Sequence, residues 1–462
     1  MNPAIAQNQQ RLFLAFVAEI RPHLRRDSAL PRRIKELLAR HRAIGSRDRK
    51  LYRELLYTYL RFLPWIDPLL DAQPELAVKV SAWLAPELKP TSAYRAAHCG
   101  DWPAVPATLA EKASALDRLV GPLEPTEASG SAPCSLLPAP CFQPAALLPA
   151  WFAEHCPAAF APPHLDAINS RASVWVRIQS RDRNLVLDEF KSLQWTWEQP
   201  ADFPDALGLP PNAEVANTDA YRRGFVEIQD LGSQLVLATA PVTAGTRWLD
   251  ACAGAGGKSL QLARLVGDTG HVDATDIRPE ILEELRDRAK RARLDNVRIV
   301  SSPVIARSPQ DDAATHLDRH GALQPSPSLW PTSRAPRDDM PLYDGVLVDA
   351  PCSGSGTWRR QPHLKWYAKP ESIATFAKTQ REILELNAPR VKPGGLLIYA
   401  TCSLSHHENH DVAAAFLAAH PEFKAEPPAD NHGGTFDGTG TTLLPGTRNT
   451  DGFYAAILRK KN

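Results

Sequence analysis

Apolar positions follow different periods along the chain, and each period marks a region. Over the first part they recur at helical spacing: Phe13, Phe16, Val17 and Ile20 fall on one face, as do Leu51, Leu55, Leu56 and Leu60. This predicts a helical domain over residues 1–120. Residues 121–147 have no period and are rich in Pro, Ala and Ser, which predicts a linker, with Cys134 and Cys141 incidental within it. In 148–217 the period shortens to two. Ser173–Gln179 and Ser192–Gln199 read as strands, and the intervening NLVLDEFKSL as a short helix, giving a small α/β module. From 218 to 462, short continuous apolar runs alternate with amphipathic stretches, as in a doubly wound parallel α/β domain. A stretch rich in Pro, Ser, Asp and Arg, 305–340, interrupts it and reads as a surface insertion.

Two of the apolar runs end in chemistry. Val346, Leu347 and Val348 form a run short enough to be a strand buried on both faces, and it stops on Asp349-Ala350-Pro351-Cys352. Leu396 to Tyr399 form another, ending in Thr401-Cys402-Ser403. In an open parallel sheet, ligands bind just beyond the carboxyl ends of the strands, so two such cysteines can face one substrate. A third run, Arg247–Asp250, leads into Ala251-Cys252-Ala253-Gly254-Ala255-Gly256-Gly257-Lys258-Ser259 and then a helix. A loop of small residues there lets a ligand approach the backbone amides of the helix start. A triphosphate-binding loop needs glycine where Cys252 stands, and the dinucleotide pattern fails at Ser259. Asp276, at the end of the next run, is placed to accept ribose hydroxyls, which suits either NAD or S-adenosylmethionine.

Composition adds bounds. With 44% apolar and 23% charged residues, the chain is globular, and 462 residues imply more than one core. The net charge of +1 hides an uneven distribution. Arg11–Arg61 carries fourteen Lys or Arg against five Asp or Glu, the footprint of a polyanion partner such as nucleic acid. Seven scattered cysteines, without CxxC or HExxH spacing, predict free thiols and no metal. The start MNPAIAQNQQ lacks the order of a signal peptide and no apolar run is long enough to span a membrane, so a cytoplasmic monomer with no membrane partner is expected. Trp175, Trp195 and Trp197 have the chemistry to stack on bases, but at least two of them are expected in the core.

The ordered motifs resemble the RNA 5-methylcytosine methyltransferase family, which includes bacterial small-subunit rRNA methyltransferase B and the Nop and NSUN proteins. DACAGAGGK resembles its cofactor loop, DAPCSGSG with RRQPHLKW its substrate loop, and TCSLSHHEN, with Glu408 and Asn409, its Thr-Cys-Ser signature. FVEIQDLGSQL resembles the lead into the catalytic domain and DGFYAAIL the closing strand. More weakly, SRDRKLYRELLYTYLRF is similar to a helical RNA-binding module of the NusB type. The chain departs from the family pattern in having Gly254 and Ala255 where Ala-Pro is usual. It also has Ser301, Ser302 and Pro303 where an Asp often stands near the adenine.

The resemblance implies a Rossmann-like, S-adenosylmethionine-dependent methyltransferase domain at 218–462, an RRM-like module at 148–217 and a NusB-like domain at 1–120. It implies methylation of carbon 5 of a cytosine in RNA, most readily rRNA. Cofactor contacts are expected from Cys252, Ala253, Gly254, Ala255, Gly256, Gly257, Lys258, Asp276 and Asp349. Cys402 is expected as the nucleophile, Cys352 as the group assisting product release, and Asp349 as the holder of the base edge. Arg359, Arg360 and Lys365 either clamp phosphates or lie on a solvated helix face. Two other functions compete: a DNA cytosine-5 methyltransferase, whose nucleophile would be Cys352, and an rRNA-binding assembly factor that methylates weakly. Deleting residues 1–120 is expected to weaken RNA binding and leave cofactor binding intact.

Overall fold

A computed structural model describes residues 2–121, 142–300 and 341–462. The expected insertion, most of the linker with Cys134 and Cys141, and Ser301–Pro303 lie outside the described residues. Two compact units divide the rest. The first holds 2–121, 142–171 and 358–368, and the second holds 172–300, 341–357 and 369–462.

In the first unit, described residues 3–120 form seven α-helices, from Pro3–Ile20 to Leu109–Val120. Both apolar faces read from the sequence are buried: Phe13, Phe16, Val17 and Ile20 on the first helix, and Leu51, Leu55, Leu56 and Leu60 on Ser46–Arg61. Each such side chain contributes roughly 1.5–3 kcal/mol on burial. The last helix starts on a reciprocal capping box, Thr108 with Glu111, and stops at Gly121. Residues 142–149 are packed, not loose as a linker would be. Phe142 and Leu147 are buried, and Trp65 Nε1 donates to the Gln143 carbonyl at 3.0 Å.

Residues 358–368 also belong to this unit, and within the RRQPHLKW motif Arg359 and Lys365 are buried and do not lie on a solvated face. Lys365 is fully buried, with Nζ donating to the Arg61 carbonyl at 3.0 Å and Asn169 Oδ1 at 2.7 Å. Trp366 Nε1 donates to the Leu60 carbonyl at 2.7 Å, and Arg61 Nη2 to the Arg359 carbonyl at 3.0 Å. Arg359 is buried, and Arg360 alone of the three cations is exposed. Burial holds the Lys365 ammonium well below the usual lysine range.

The second unit has two sheets. In the smaller, β1 (Val174–Ile178) lies between β2 (Ala206–Leu209) and β3 (Val226–Ile228), antiparallel to both. Ser192–Gln199 is not the expected strand. The helix Asn184–Ser192 runs into it, and only Glu198 bridges to Gly208. Its tryptophans alternate against the module's core and so mimic a strand pattern, while the true second strand, Ala-Leu-Gly-Leu, is only four residues long. β3 lies beyond the expected boundary at 217, so this sheet draws on the stretch read as the catalytic domain's lead-in. Trp175 is buried, and Trp195 and Trp197 are half-buried against the core.

The larger sheet contains β4 (Arg247–Asp250), β5 (His271–Ala274), β6 (Val297–Ile299), β7 (Tyr343–Asp349) and β8 (Val391–Thr401), all parallel, in the order β8-β7-β4-β5-β6. β12 (Phe453–Lys460) pairs antiparallel with β8 and extends the sheet toward β11 (Thr441–Leu443) and β10 (Thr435–Phe436), with β9 (Phe423–Glu426) also on β12. Because both faces are covered, successive residues of one strand enter different cores. Val346 and Val348 join Leu397 and Tyr399 on one side, while Leu347 joins Ile398 and Ala400 on the other. The strand order reverses between β4 and β7. A crevice at their carboxyl ends is the place where such sheets bind ligands.

Candidate active site

The carboxyl ends of β4, β5, β7 and β8 lie along one edge, and each supplies part of the site. After β4 the chain turns through Ala251–Gly256 into the helix Gly257–Val266. Gly256 has φ +88°, and a Cβ there would stand 2.6 Å from Leu285 Cγ, so only glycine makes this turn without strain. Asp250, buried at the end of β4, accepts from Ser259 Oγ at 2.7 Å and ties the strand to the helix start. Arg288 Nη1 donates to the Ala255 carbonyl at 2.7 Å, and buried Glu227 aims that guanidinium from 2.8 Å.

Asp276, just past β5, closes the loop from the other side. Its Oδ2 accepts from the Gly254 amide at 2.9 Å, and Arg278 grips both oxygens, with Nε 2.9 Å from Oδ1 and Nη2 3.1 Å from Oδ2. Lys258, from the first turn of the helix, reaches Asp349 at the end of β7, with Nζ 2.7 Å from Oδ2 and the Phe453 ring beneath it at 5.2 Å. The loop, the helix start, Asp276 and the Lys258–Asp349 pair thus surround one crevice of small side chains and backbone amides. These groups fit S-adenosylmethionine, whose amino-acid end needs a tight turn and whose ribose needs an acid.

Cys352 and Cys402 stand side by side, Sγ to Sγ 3.3 Å, both half-buried. Parallel pairing of β7 with β8 aligns Asp349 with Ala400 and delivers the two loops to the same level. The hydrogen bond to Cys402, together with burial, pushes the Cys352 thiol well above its ordinary range. The two thiols are within hydrogen-bond reach of one another, and either sulfur can donate. Cys252 belongs to the cofactor loop alone. Burial, then the nearby Asp276, Asp250 and Asp349 carboxylates, push its thiol well up, which suits a packing residue of that loop.

Around the cysteines lies a network that the sequence does not announce. Glu408 is fully buried, and its Oε1 accepts from the Ser353 amide at 2.8 Å and from Gln380 Nε2 at 3.1 Å. Its Oε2 accepts from Ser353 Oγ at 2.5 Å and Ser403 Oγ at 2.6 Å. Glu408 and Asn409 belong to a motif legible in the sequence, but no spacing signal marks Gln380, Arg278 or Arg288. Among the described residues, two groupings have ligand atoms close enough for a metal ion. They are the exposed His406, His407 and Asp411, and Asp202, Asp430 and His432, where Arg448 already pairs with Asp202 at 2.7 Å.

Burial raises the Asp250 carboxyl to about 7 from an ordinary 3.8. The folded state then keeps a proton that the unfolded chain has lost. The resulting stability is complete below about 3.8 and disappears as the pH climbs through about 7. Asp250→Asn keeps an acceptor for Ser259, so it is expected to remove a slope of up to about 1.4 kcal/mol per pH unit across that window. Urea denaturation of both proteins over a pH series measures the difference, and parallel curves would mean that Asp250 titrates normally.

A parallel sheet with this loop and helix after one strand, an acid after its neighbour and a reversal of strand order beside them defines a Rossmann-like, S-adenosylmethionine-dependent methyltransferase domain. Residues 236–459 match the family described as 16S rRNA methyltransferase RsmB/F. The chain is 33% identical over 301 residues to ribosomal RNA small subunit methyltransferase B of Salmonella arizonae, covering 64% of this chain and 62% of that relative's length. It is 31% identical over 304 residues to the protein of the same name from Vibrio cholerae, covering 64% and 61%. Among solved structures, PH0851 is similar over 97% of both chains with a TM-score of 0.65 at 20% identity. NSun6 from Pyrococcus horikoshii, solved with SFG, is similar over 64% of this chain and 93% of its own, with a TM-score of 0.52 at 17% identity. At these identities the two structures speak for the fold.

Proposed function

We propose that this chain methylates carbon 5 of a cytosine in RNA, most readily rRNA, through a covalent bond between Cys402 and the base. The observation that carries the reading is the pair of thiols 3.3 Å apart at the ends of β7 and β8, beside Asp349 and the cofactor crevice.

Carbon 5 of cytosine is too weak a nucleophile to take a methyl group unaided. Addition of the Cys402 sulfur to carbon 6 turns carbon 5 into an enamine carbon, which splits one hard step into feasible ones. Asp349 holds the base edge around ring nitrogen 3 and the exocyclic amine, where charge develops. Lys258, on Oδ2, fixes which face of that carboxylate meets the base. S-adenosylmethionine, when bound, supplies an electrophilic methyl group on a sulfonium. After transfer a water takes the carbon 5 proton, the electron pair of that bond restores the ring double bond, and the carbon 6–sulfur bond breaks with its pair returning to the Cys402 sulfur. Cys352, whose sulfur lies 3.3 Å from that of Cys402, assists the breaking of that bond. Bisulfite sequencing of rRNA from cells with and without the protein tests the reading, and an unchanged cytosine profile would overturn it.

The ribose is assigned to Asp276, whose oxygens Arg278 and the Gly254 amide already engage. Ribose hydroxyls must therefore displace part of the Arg278 grip. Asp276→Ala is expected to lose two charge-assisted hydrogen bonds, about 1.5–3 kcal/mol each, and to weaken S-adenosylmethionine binding by about 100-fold or more. Calorimetry on the folded variant measures this. Wild-type affinity would assign the ribose to another residue.

A further inference from the structure

We propose that Glu408 is a positioning residue: its carboxylate ties the residue after each cysteine to one point and so sets the distance between the Cys352 and Cys402 thiols. The catalytic consequence rests on the two-cysteine reading above, whereas the spacing itself does not.

The four hydrogen-bond donors on Glu408 are neutral, and they come from three places. Ser353 follows Cys352, Ser403 follows Cys402, and Gln380 lies on the helix Pro370–Asn387. A carboxylate buried on neutral donors is costly, and a well-packed apolar side chain would fill the same space more cheaply. What the carboxylate adds is convergence, because its two oxygens hold both cysteine loops at once. Oε2 accepts from both Ser353 and Ser403, whose hydroxyls also meet directly at 3.2 Å.

The neighbouring groups narrow the freedom further without replacing the clasp. Asn409 braces the Cys402 loop internally, accepting from Thr401 Oγ1 at 2.6 Å and donating to the Ser403 carbonyl at 3.0 Å. Gly356 donates its amide to the Cys402 carbonyl at 2.9 Å, and a Cβ there would stand 2.8 Å from that oxygen. That hydrogen bond sits four residues past Cys352, while Glu408 acts one residue past each thiol. Its carboxylate also anchors the direct Ser353–Ser403 hydroxyl contact at 3.2 Å, because each hydroxyl donates to Oε2.

The spacing can be read without RNA, cofactor or methyl transfer. Diamide takes two protons and two electrons from a pair of thiols, which join as a disulfide while its N=N bond becomes a hydrazine. The sulfurs must close from 3.3 Å to about 2.05 Å, so the rate of forming the Cys352–Cys402 link, followed by peptide mass spectrometry, reports their placement. The wild-type protein is expected to form the link readily. Glu408→Ala is expected to form it about tenfold or more slowly, the effect of losing charge-assisted bonds on both loops. Glu408→Gln, which keeps one acceptor oxygen, should fall between them. In single-turnover methylation Glu408→Ala should slow the covalent step while cofactor affinity stays at the wild-type value. A folded Glu408→Ala protein that links at the wild-type rate overturns the proposal. If that variant does not fold, Ser353→Ala with Ser403→Ala removes the two hydroxyl donors instead, and an unchanged linking rate there overturns it equally. Slower linking in a protein that methylates no RNA cytosine would uphold the spacing role and sink the two-cysteine reaction.

Discussion

Cys402→Ala is expected to abolish both methyl transfer and any covalent protein–RNA complex, with activity falling by on the order of 10⁴-fold or more, as when other enzymes lose a nucleophile. Cys352→Ala is expected to behave differently. The Cys402 sulfur loses its thiol neighbour at 3.3 Å, but it keeps Thr401, Ser403 and the loop that presents it. Attack and one methylation should still occur, and release should then stall, leaving a denaturation-resistant complex with RNA that requires Cys402. A denaturing gel of both single variants and the double variant, with labelled RNA and cofactor, separates the readings. If the nucleophile were Cys352, as in a DNA cytosine-5 methyltransferase, the adduct would vanish with Cys352→Ala and persist with Cys402→Ala. Cysteines with a purely structural part would give no adduct in either, and activity losses that follow stability.

The parts of this site legible in the sequence are those fixed by strand ends. Asp349, Cys352 and Cys402 follow apolar runs that had to be buried on both faces, so their position at the carboxyl edge of a parallel sheet followed from period alone. The cofactor loop was legible for a similar reason, because Gly254 and Gly256 mark a turn and Asp276 ends the next strand. What the sequence withheld are interactions between residues far apart in the chain. Glu408 meets Ser353 across 55 positions, and Arg288 meets Glu227 across 61. No local period encodes either. The Ser192–Gln199 stretch shows the opposite failure, in which tryptophans alternating over a core imitate a strand that the backbone does not form. RRQPHLKW misled through composition. Its cations suggested solvent or phosphate, yet Lys365 is spent on the Arg61 carbonyl and Asn169.

That last placement changes what removing the helices should do. From sequence alone, residues 1–120 are a separable RNA-binding domain. The structure puts 358–368 in the same compact unit as those helices, where Leu60 and Arg61 accept from Trp366 and Lys365, and Trp358 packs on Phe152 with ring centroids 4.5 Å apart. A fragment of residues 172–462 lacks all of these partners. It would expose Trp358, Leu364 and Trp366, whose burial is worth about 1.5–3 kcal/mol or more each, so the segment has no core to order it. The segment begins one peptide bond after Thr357, next to the Gly356 amide that holds the Cys402 carbonyl. The fragment is therefore expected to lose about 100-fold or more in methylation rate even at saturating RNA, the scale of effect expected when reacting groups are misplaced by about 1 Å. Hydrogen exchange should find 358–368 unprotected in the fragment and protected in the full chain. Replacing the exposed Arg25, Arg26, Arg42, Arg47 and Arg49 by Glu in the full chain should act otherwise. It should weaken RNA binding and flatten its salt dependence by about 0.7 for each phosphate no longer neutralised, with the rate at saturating RNA kept. A fragment that turns over at the full-length rate would show that 358–368 holds its shape without the helices.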